Sequence, residues 1–539
     1  MEVPVEEDFP HGTIRLERLL DRKHGEIILH PIPSKDPNDP LNWPFWEKSL
    51  NFGLVSFYVL MVFVNVDIGT VIWGDLNTDL GISFAAMSAS FGVNTAGLAL
   101  GCVIFIPFAL KFGRRSIYLV SIAASLATCI WQGRMTSTGD LIGANFVAGL
   151  AGSIAETICQ MSIADSFFVH QRATCNGIYL LMTNAGAFLA PVAAGYAASA
   201  QGWRWIWWWT TILLGLTLVA FIFLYEDTKY DPVHVGQAPV TTEERVNSIS
   251  AEDGKISDDK MAQLGITTTS ASRHLDESVP RKTYLERMAL FQPGSFNGEW
   301  GLLLRHVYKP FVIVATFPAI TYTALIFGAG LAWFSVVVNV YSIYFTLPPY
   351  NFSTKQIGLL NIPPFIGSVI GSLYGGLFND WLAIRLARRN NGIFEPEMRL
   401  WIVLPAVLTM PASILLFGLP TAYGMHWIIP CIGSGLFGFS NVTLWDAALT
   451  YAMDCYVEII GDSMVAVCFI RNLFATIVAV SLTAWINGMG LVGLHVLSAV
   501  LAFVAAATTF PMMYWGKAAR RWTGARLQRM THQQFGSRG

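Results

Sequence analysis

The feature that most constrains this chain is a succession of about twelve apolar, nearly uncharged runs, most of them near the ~20 residues a helix needs to cross ~30 Å of hydrocarbon. They fall at 48–68, 88–110, 115–133, 141–164, 174–198, 204–225, 309–345, 356–378, 400–418, 427–452, 463–486 and 491–515. In lipid a backbone N–H or C=O has no water to bond, so a run must be helical or belong to a closed barrel. Runs this long without period-two alternation exclude the barrel. The seventh exceeds one straight span. With Pro318, Gly328 and Gly330 inside it, a bent helix or one reaching beyond the bilayer is expected.

Composition narrows the function classes. Apolar residues make up 53% of the chain and charged residues 13%, a balance suited to lipid. Net charge is −2 with no basic patch interleaved with aromatics, so no nucleic acid partner is expected. The seven cysteines all lie within apolar runs, without C-x-x-C or His spacing. Neither a disulfide framework nor a metal site is expected. No nucleophile elbow or phosphate-binding glycine loop is present, which argues against an enzyme or an ATP-driven pump.

Lys and Arg in short loops favour the cytosol. The first forty residues hold no cleavable apolar core, so the amino terminus is expected to be cytosolic. From there the cytosolic loops carry Lys111, Arg114 and Arg115, then Arg172, then Arg385, Arg388, Arg389 and Arg399. The opposite loops have little beyond Arg134, Arg204 and Lys355. Both termini are therefore expected inside. Trp43, Trp46 and the GWRWIWWW stretch at 202–209 suit interfacial aromatic belts. The NFS sequon makes Asn351 a glycosylation candidate on the outside.

The expected organisation is a cytosolic tail at 1–47, a six-helix bundle at 48–227, a largely disordered cytosolic linker at 228–308, a second bundle at 309–515, and a basic cytosolic tail at 516–539. The linker is too polar to bury what ordering would cost. The two halves share weak repeats. Gly97 and Gly101 precede Gly367 and Gly371 at one constant offset, which also relates Arg115 to Arg385. Further along, ADSFF at 164–168 stands opposite MDCYV at 453–457. Internal duplication of this kind is common in transporters.

Five stretches carry a family resemblance: DPNDPLNWP before the first run, LKFGRRSIYL after the second, IADSFFVHQR ending the fourth, GWRWIWWW opening the sixth, and EPEMRL before the ninth. Through them the chain resembles the major facilitator superfamily, and within it the fungal twelve-span drug:proton antiporter branch. The resemblance covers about residues 40–515 and implies an all-α membrane protein of twelve helices in two pseudo-symmetric six-helix bundles. It implies a loop motif in which Lys111, Gly113, Arg114 and Arg115 match, while Ile106 and Leu110 replace the usual Gly and Asp. In the second half Gly376, Asp380 and Arg385 match. An antiporter-like motif is represented by Gly186, Pro191 and Gly195, with alanines at two glycine positions. The loop cations can also hold a tight turn and bind carboxylates or lipid phosphates.

Polar groups inside membrane spans default to a cavity or a partner. Glu156 is the candidate proton-coupling residue, with Gln160 one turn away. Phe437, Asn441 and Trp445 share an i, i+4 face, with Asp446 adjacent. Arg471 and Asn472 lie at a similar depth, and an Asp446–Arg471 pair is expected. Asn65 and Asp67 are further pocket candidates; Asp165 and Asp454 are expected to pair with nearby arginines. The expected function is secondary active transport without a cofactor, energised by the proton gradient. The expected partners are a small organic substrate, protons and the lipid bilayer. By resemblance this is efflux of a drug, toxin or secondary metabolite by a plasma-membrane monomer. Proton-driven import of a small organic cation or nutrient is the first alternative, and a non-transporting nutrient sensor the second.

Overall fold

The computed structural model describes residues 10, 12–15, 36–167, 169–228, 283–289, 300–456 and 459–535. Among them, eleven helical stretches are long and apolar enough to cross a membrane. The last of these, Ser463–Met530, contains two crossings. Its backbone reverses at Gly490, whose φ of 72° lies in the left-handed region that favours glycine. Twelve spans result.

In the first half the spans are Phe45–Asp67, Phe84–Phe112, Arg114–Gly133, Thr138–Ser166, Val169–Gln201 and Arg204–Leu224. Their ends follow local rules. Ser83 caps the second span by accepting from Ala86 N, and Ser137 with Asp140 forms a capping box on the fourth. Gly113, at φ 93°, makes the turn between spans two and three.

In place of the expected bent or over-long helix, the seventh run is broken at Phe317. A helix over Trp300–Thr316 ends before Phe317, and Pro318 opens the span Pro318–Tyr344. Proline lacks an N–H and pushes the preceding residue out of the helical region. The helix runs on without a break through Gly328 and Gly330. They are contact points, Gly328 for the ring of Phe474 and Gly330 for Asn441 and Trp445. The remaining spans cover 354–389, Pro396–Ala422, Ile428–Cys455, 460–489 and residues from 491 onward.

Two expected boundaries move. The helix beginning at Trp300 lies within the stretch read as linker. Most of that linker, 229–282 and 290–299, is outside the described residues, and so is the disorder expected there. The carboxy-terminal tail is helical through Thr509–Phe535 and docks on the second half. There Arg520 is buried and bonds both oxygens of Glu397, at 2.9 and 2.6 Å. A two-residue strand, Ile14–Arg15, pairs antiparallel with Ile393–Phe394.

The repeated glycines explain how each half packs. A Cβ on Gly97 would lie 2.5 Å from Phe146 O, and one on Gly101 2.6 Å from Leu150 O, so spans two and four touch backbone to backbone. Gly367 meets Gly435 O and Gly371 meets Phe439 O in the same way between spans eight and ten. The halves also meet on the face away from the termini. Thr354 Oγ1 donates to Asp75 Oδ2 at 3.0 Å, and Lys355 Nζ lies 4.4 Å over the Tyr196 ring.

Candidate functional site

Between the halves is a cavity, partly open to solvent, with about 670 Å³ of empty space when its open mouth is included. Spans one, two, four and five wall one side, and seven, eight, ten and eleven the other. Phe63, Phe91, Phe188, Phe334, Phe437 and Trp445 supply most of the apolar lining. A few polar groups interrupt it, among them Asp67, Glu156, Asn441, Arg471 and Asn472. An apolar pocket with a handful of placed polar groups is how small-molecule sites are usually built.

Helical periodicity positions the span-ten wall. Phe437, Asn441 and Trp445 recur every fourth residue and all face the cavity. Trp445 stacks on Phe327 with ring centroids 5.2 Å apart. Its Nε1 and the Oδ1 of Asn441 have no partner among the described residues.

The most heavily built part of the site surrounds Glu156, which is 1% exposed. Arg471 Nη2 donates to its Oε1 and Asn472 Nδ2 to its Oε2, the latter at 2.6 Å. Cys102 Sγ lies 3.8 Å from Oε2. A carboxylate with a guanidinium and an amide donor is a combination that makes burial of the charge tolerable. The bond also ties span four to span eleven, and so one half to the other.

This corrects the expected Asp446–Arg471 pair. Among the described residues no ion pair joins them. Depth was matched but direction was not: Asp446 follows the cavity-facing Trp445 by one residue and so turns toward span eight, where its carboxylate meets Gly375. Asp446 and Gln160 are both outside the cavity wall. Asn65 is also outside it and accepts from Cys129 Sγ at 3.4 Å. Asp67 lines the cavity, 3% exposed, with Oδ1 unpartnered among the described residues.

The basic turn after span two is an anchor. Arg114 pairs with Asp165 at 3.1 Å, and its backbone N–H donates to Asp227 Oδ1 at 3.0 Å. Arg115 donates to the carbonyls of Tyr225 and Ile222, at 2.9 and 2.7 Å, capping the end of span six. Asp227 thus supplies a carboxylate where Leu110 supplies none. Lys111 is half-buried at the end of span two. In the second half Arg399 bonds Asp454 and, at 2.6 Å, Asp380. The partner of Asp380 is therefore Arg399, and the Arg385 guanidinium lies 5.2 Å over the Trp381 ring. Gly376 is exposed within the π-turn Tyr374–Phe378. Of the antiporter-like residues, Gly186 packs so close to span one that a Cβ there would lie 2.7 Å from Leu60 O, and Pro191 O and Gly195 abut span eight.

The profile of the Major Facilitator Superfamily matches residues 54–458. The chain belongs to the major facilitator superfamily. This membrane transporter is 32% identical to an uncharacterised MFS-type transporter of Schizosaccharomyces pombe, over 94% of this chain and 90% of that one. It is 28% identical to protein HOL1 of Saccharomyces cerevisiae, over 96% and 94%, and 25% identical to the MFS antiporter QDR3 of Candida albicans, over 94% and 82%. A crystal structure of the peptide transporter POT superposes with a TM-score of 0.58 at 13% identity, covering 89% of this chain and 96% of that one. The transporter thus has the all-α fold of its family, twelve helices in two six-helix bundles.

Several members of this site carry no sequence signal. Phe188 and Phe334 meet edge to face, 5.5 Å apart, across the two halves, yet each is one phenylalanine among 35. Asn472 was visible only as a polar residue inside an apolar run; its contact with Glu156 depends on how spans four and eleven are packed.

Proposed function

We propose that this transporter exports a small organic compound in exchange for protons, by alternating access around the central cavity. The observation that carries the reading is the bond from Glu156 to Arg471 across the cavity wall. Protonation of Glu156 removes the charge that Arg471 neutralises and loosens the tie between the halves. Return of the carboxylate restores it. A proton thereby sets which arrangement of the halves is favoured, as coupled transport requires. The antiporter named among the relatives supports the exchange direction. In this reading the protein is a plasma-membrane monomer with both termini in the cytosol, as the loop cations favour.

One observation favours a second reading. Asp67 lines a cavity walled by aromatic rings and has a carboxylate oxygen with no partner among the described residues, a setting that suits a small organic cation. Under it the protein is a proton-driven importer. Metabolite profiling inside and outside cells, with and without the protein, identifies the cargo, and the side on which it accumulates decides direction.

With that cargo in reconstituted vesicles, Glu156→Gln tests the coupling. The variant mimics the protonated acid and is expected to exchange cargo down its gradient while losing uphill, pH-driven flux. Full pH-driven flux in the Gln variant would remove Glu156 from the mechanism.

A further inference from the structure

Asn472 and Glu156 both line the cavity, and their side chains touch. Asn472 Nδ2 donates to Glu156 Oε2 at 2.6 Å. Asn472 is 0% exposed, yet its Oδ1 has no partner among the described residues. A primary amide has two ends of similar size and opposite character, one donating and one accepting. Its terminal torsion is roughly two-fold, so half a turn exchanges the ends with little change in packing.

The state of Glu156 decides which end faces it. An ionised carboxylate only accepts, so Nδ2 is held to it and Oδ1 is left for the cavity side. When a proton from the aqueous phase bonds to Oε2, that oxygen becomes a donor. The amide is then better satisfied with Oδ1 toward the acid and Nδ2 toward the cavity. No covalent bond of Asn472 changes.

We propose that Asn472 is a positioning residue that converts the protonation state of Glu156 into the hydrogen-bond polarity of the cavity wall. The wall offers an acceptor while Glu156 is ionised and a donor once it is protonated. A cargo carrying N–H or O–H donors therefore binds best to the ionised form and promotes proton release, and a proton promotes release of that cargo, because linkage is reciprocal. The chemical class favoured is a donor-bearing compound, such as an amine or a polyol. The inference rests on the reading of Glu156 as proton carrier.

The other groups around Glu156 do not offer this exchange. Arg471 has only donors and is engaged with Oε1. Cys468, also from span eleven, contacts the Glu156 backbone carbonyl at 3.8 Å. Cys102 of span two makes the long sulfur contact to Oε2, and Tyr179 of span five is within electrostatic reach of both Glu156 and Arg471. Asp67 shares the cavity from span one. None of these carries a donor and an acceptor that exchange places at constant shape.

The test needs no cargo. Infrared difference spectra between acid and neutral buffer are recorded on the full-length protein in lipid vesicles, with isotope-labelled asparagine. The expected result is a protonated-carboxyl band that Glu156→Gln abolishes, together with a labelled amide band of the same pH midpoint. That amide band should disappear in Asn472→Leu and also in Glu156→Gln, so the test survives if the Leu variant fails to assemble. An asparagine that merely props the carboxylate would show no pH-linked reorientation. Absence of the carboxyl band overturns the Glu156 reading and the inference with it. A carboxyl band without the amide band, or an amide band that persists in either variant, overturns the inference and leaves the Glu156 reading standing.

Discussion

Spans four and ten are counterparts in the two halves, and their acids have opposite surroundings. Aligning Asp165 with Asp454, each bonded to an arginine on its own half, puts Glu156 opposite Trp445. Both face the cavity. The acid of span ten is one residue further on, about 100° around the helix, and turns to Gly375 of span eight. Glu156 has a guanidinium and an amide; Asp446 has no ion pair among the described residues. Equal depth in a membrane therefore says little about role, because a shift of one residue exchanges the cavity for a neighbouring helix.

The largest effect expected to sharpen this contrast comes from Arg471. Arg471→Leu strands a buried carboxylate and should cost roughly 3–5 kcal/mol of stability, read as a large drop in thermal unfolding temperature. In a double-mutant cycle, Glu156→Gln and Arg471→Gln should couple by more than about 1 kcal/mol. Asp446→Asn with Arg471→Gln should add. Strong coupling in the second cycle would erase the distinction between the two acids.

The next effect concerns the packing that both halves share. Gly101→Ala and Gly371→Ala place a methyl group against a carbonyl of the facing helix, and each should cost about 1–3 kcal/mol. Similar losses in melting temperature are expected. A neutral result in one half would show that its spans can move apart.

The loop anchors should differ more modestly. Arg114 is buried and linked to Asp165 and Asp227, whereas Arg399 bonds an exposed Asp380 and a half-buried Asp454. Arg114→Ala should lower stability by about 1–3 kcal/mol, as for hydrogen bonds to charged groups. Arg399→Ala should cost less, nearer the ~1 kcal/mol of exposed pairs. Thermal unfolding of the two variants side by side would reveal a reversed order.

The smallest effect is a test of orientation. Asn351 is exposed with φ 48°, a conformation asparagine tolerates. If its loop faces the outside, enzymatic deglycosylation should increase gel mobility, and Asn351→Gln should abolish that shift while changing stability by less than about 0.5 kcal/mol. A chain bearing no glycan at Asn351 when made in a glycosylating cell would count against the assigned topology.

The sequence by itself determined the membrane class, the two halves and the approximate spans, because the absence of water in lipid forces long apolar helices wherever the chain crosses. It also determined that the seventh run exceeds one straight span, the turn at Gly113, and the face shared by Phe437, Asn441 and Trp445, all of which depend on run length, local backbone geometry or helical period. Its repeated glycines pointed to close packing, though not to the helices they would meet. Only tertiary structure decided that Arg471 reaches Glu156 instead of Asp446, that Asp227 serves the loop where Leu110 cannot, and that Arg399 bonds Asp380 and Asp454. Those pairings join residues far apart in the chain, such as Glu156 and Arg471, through the rotation and tilt of whole helices. One residue's turn of a helix redirects a side chain completely, and no local rule in the sequence records that angle.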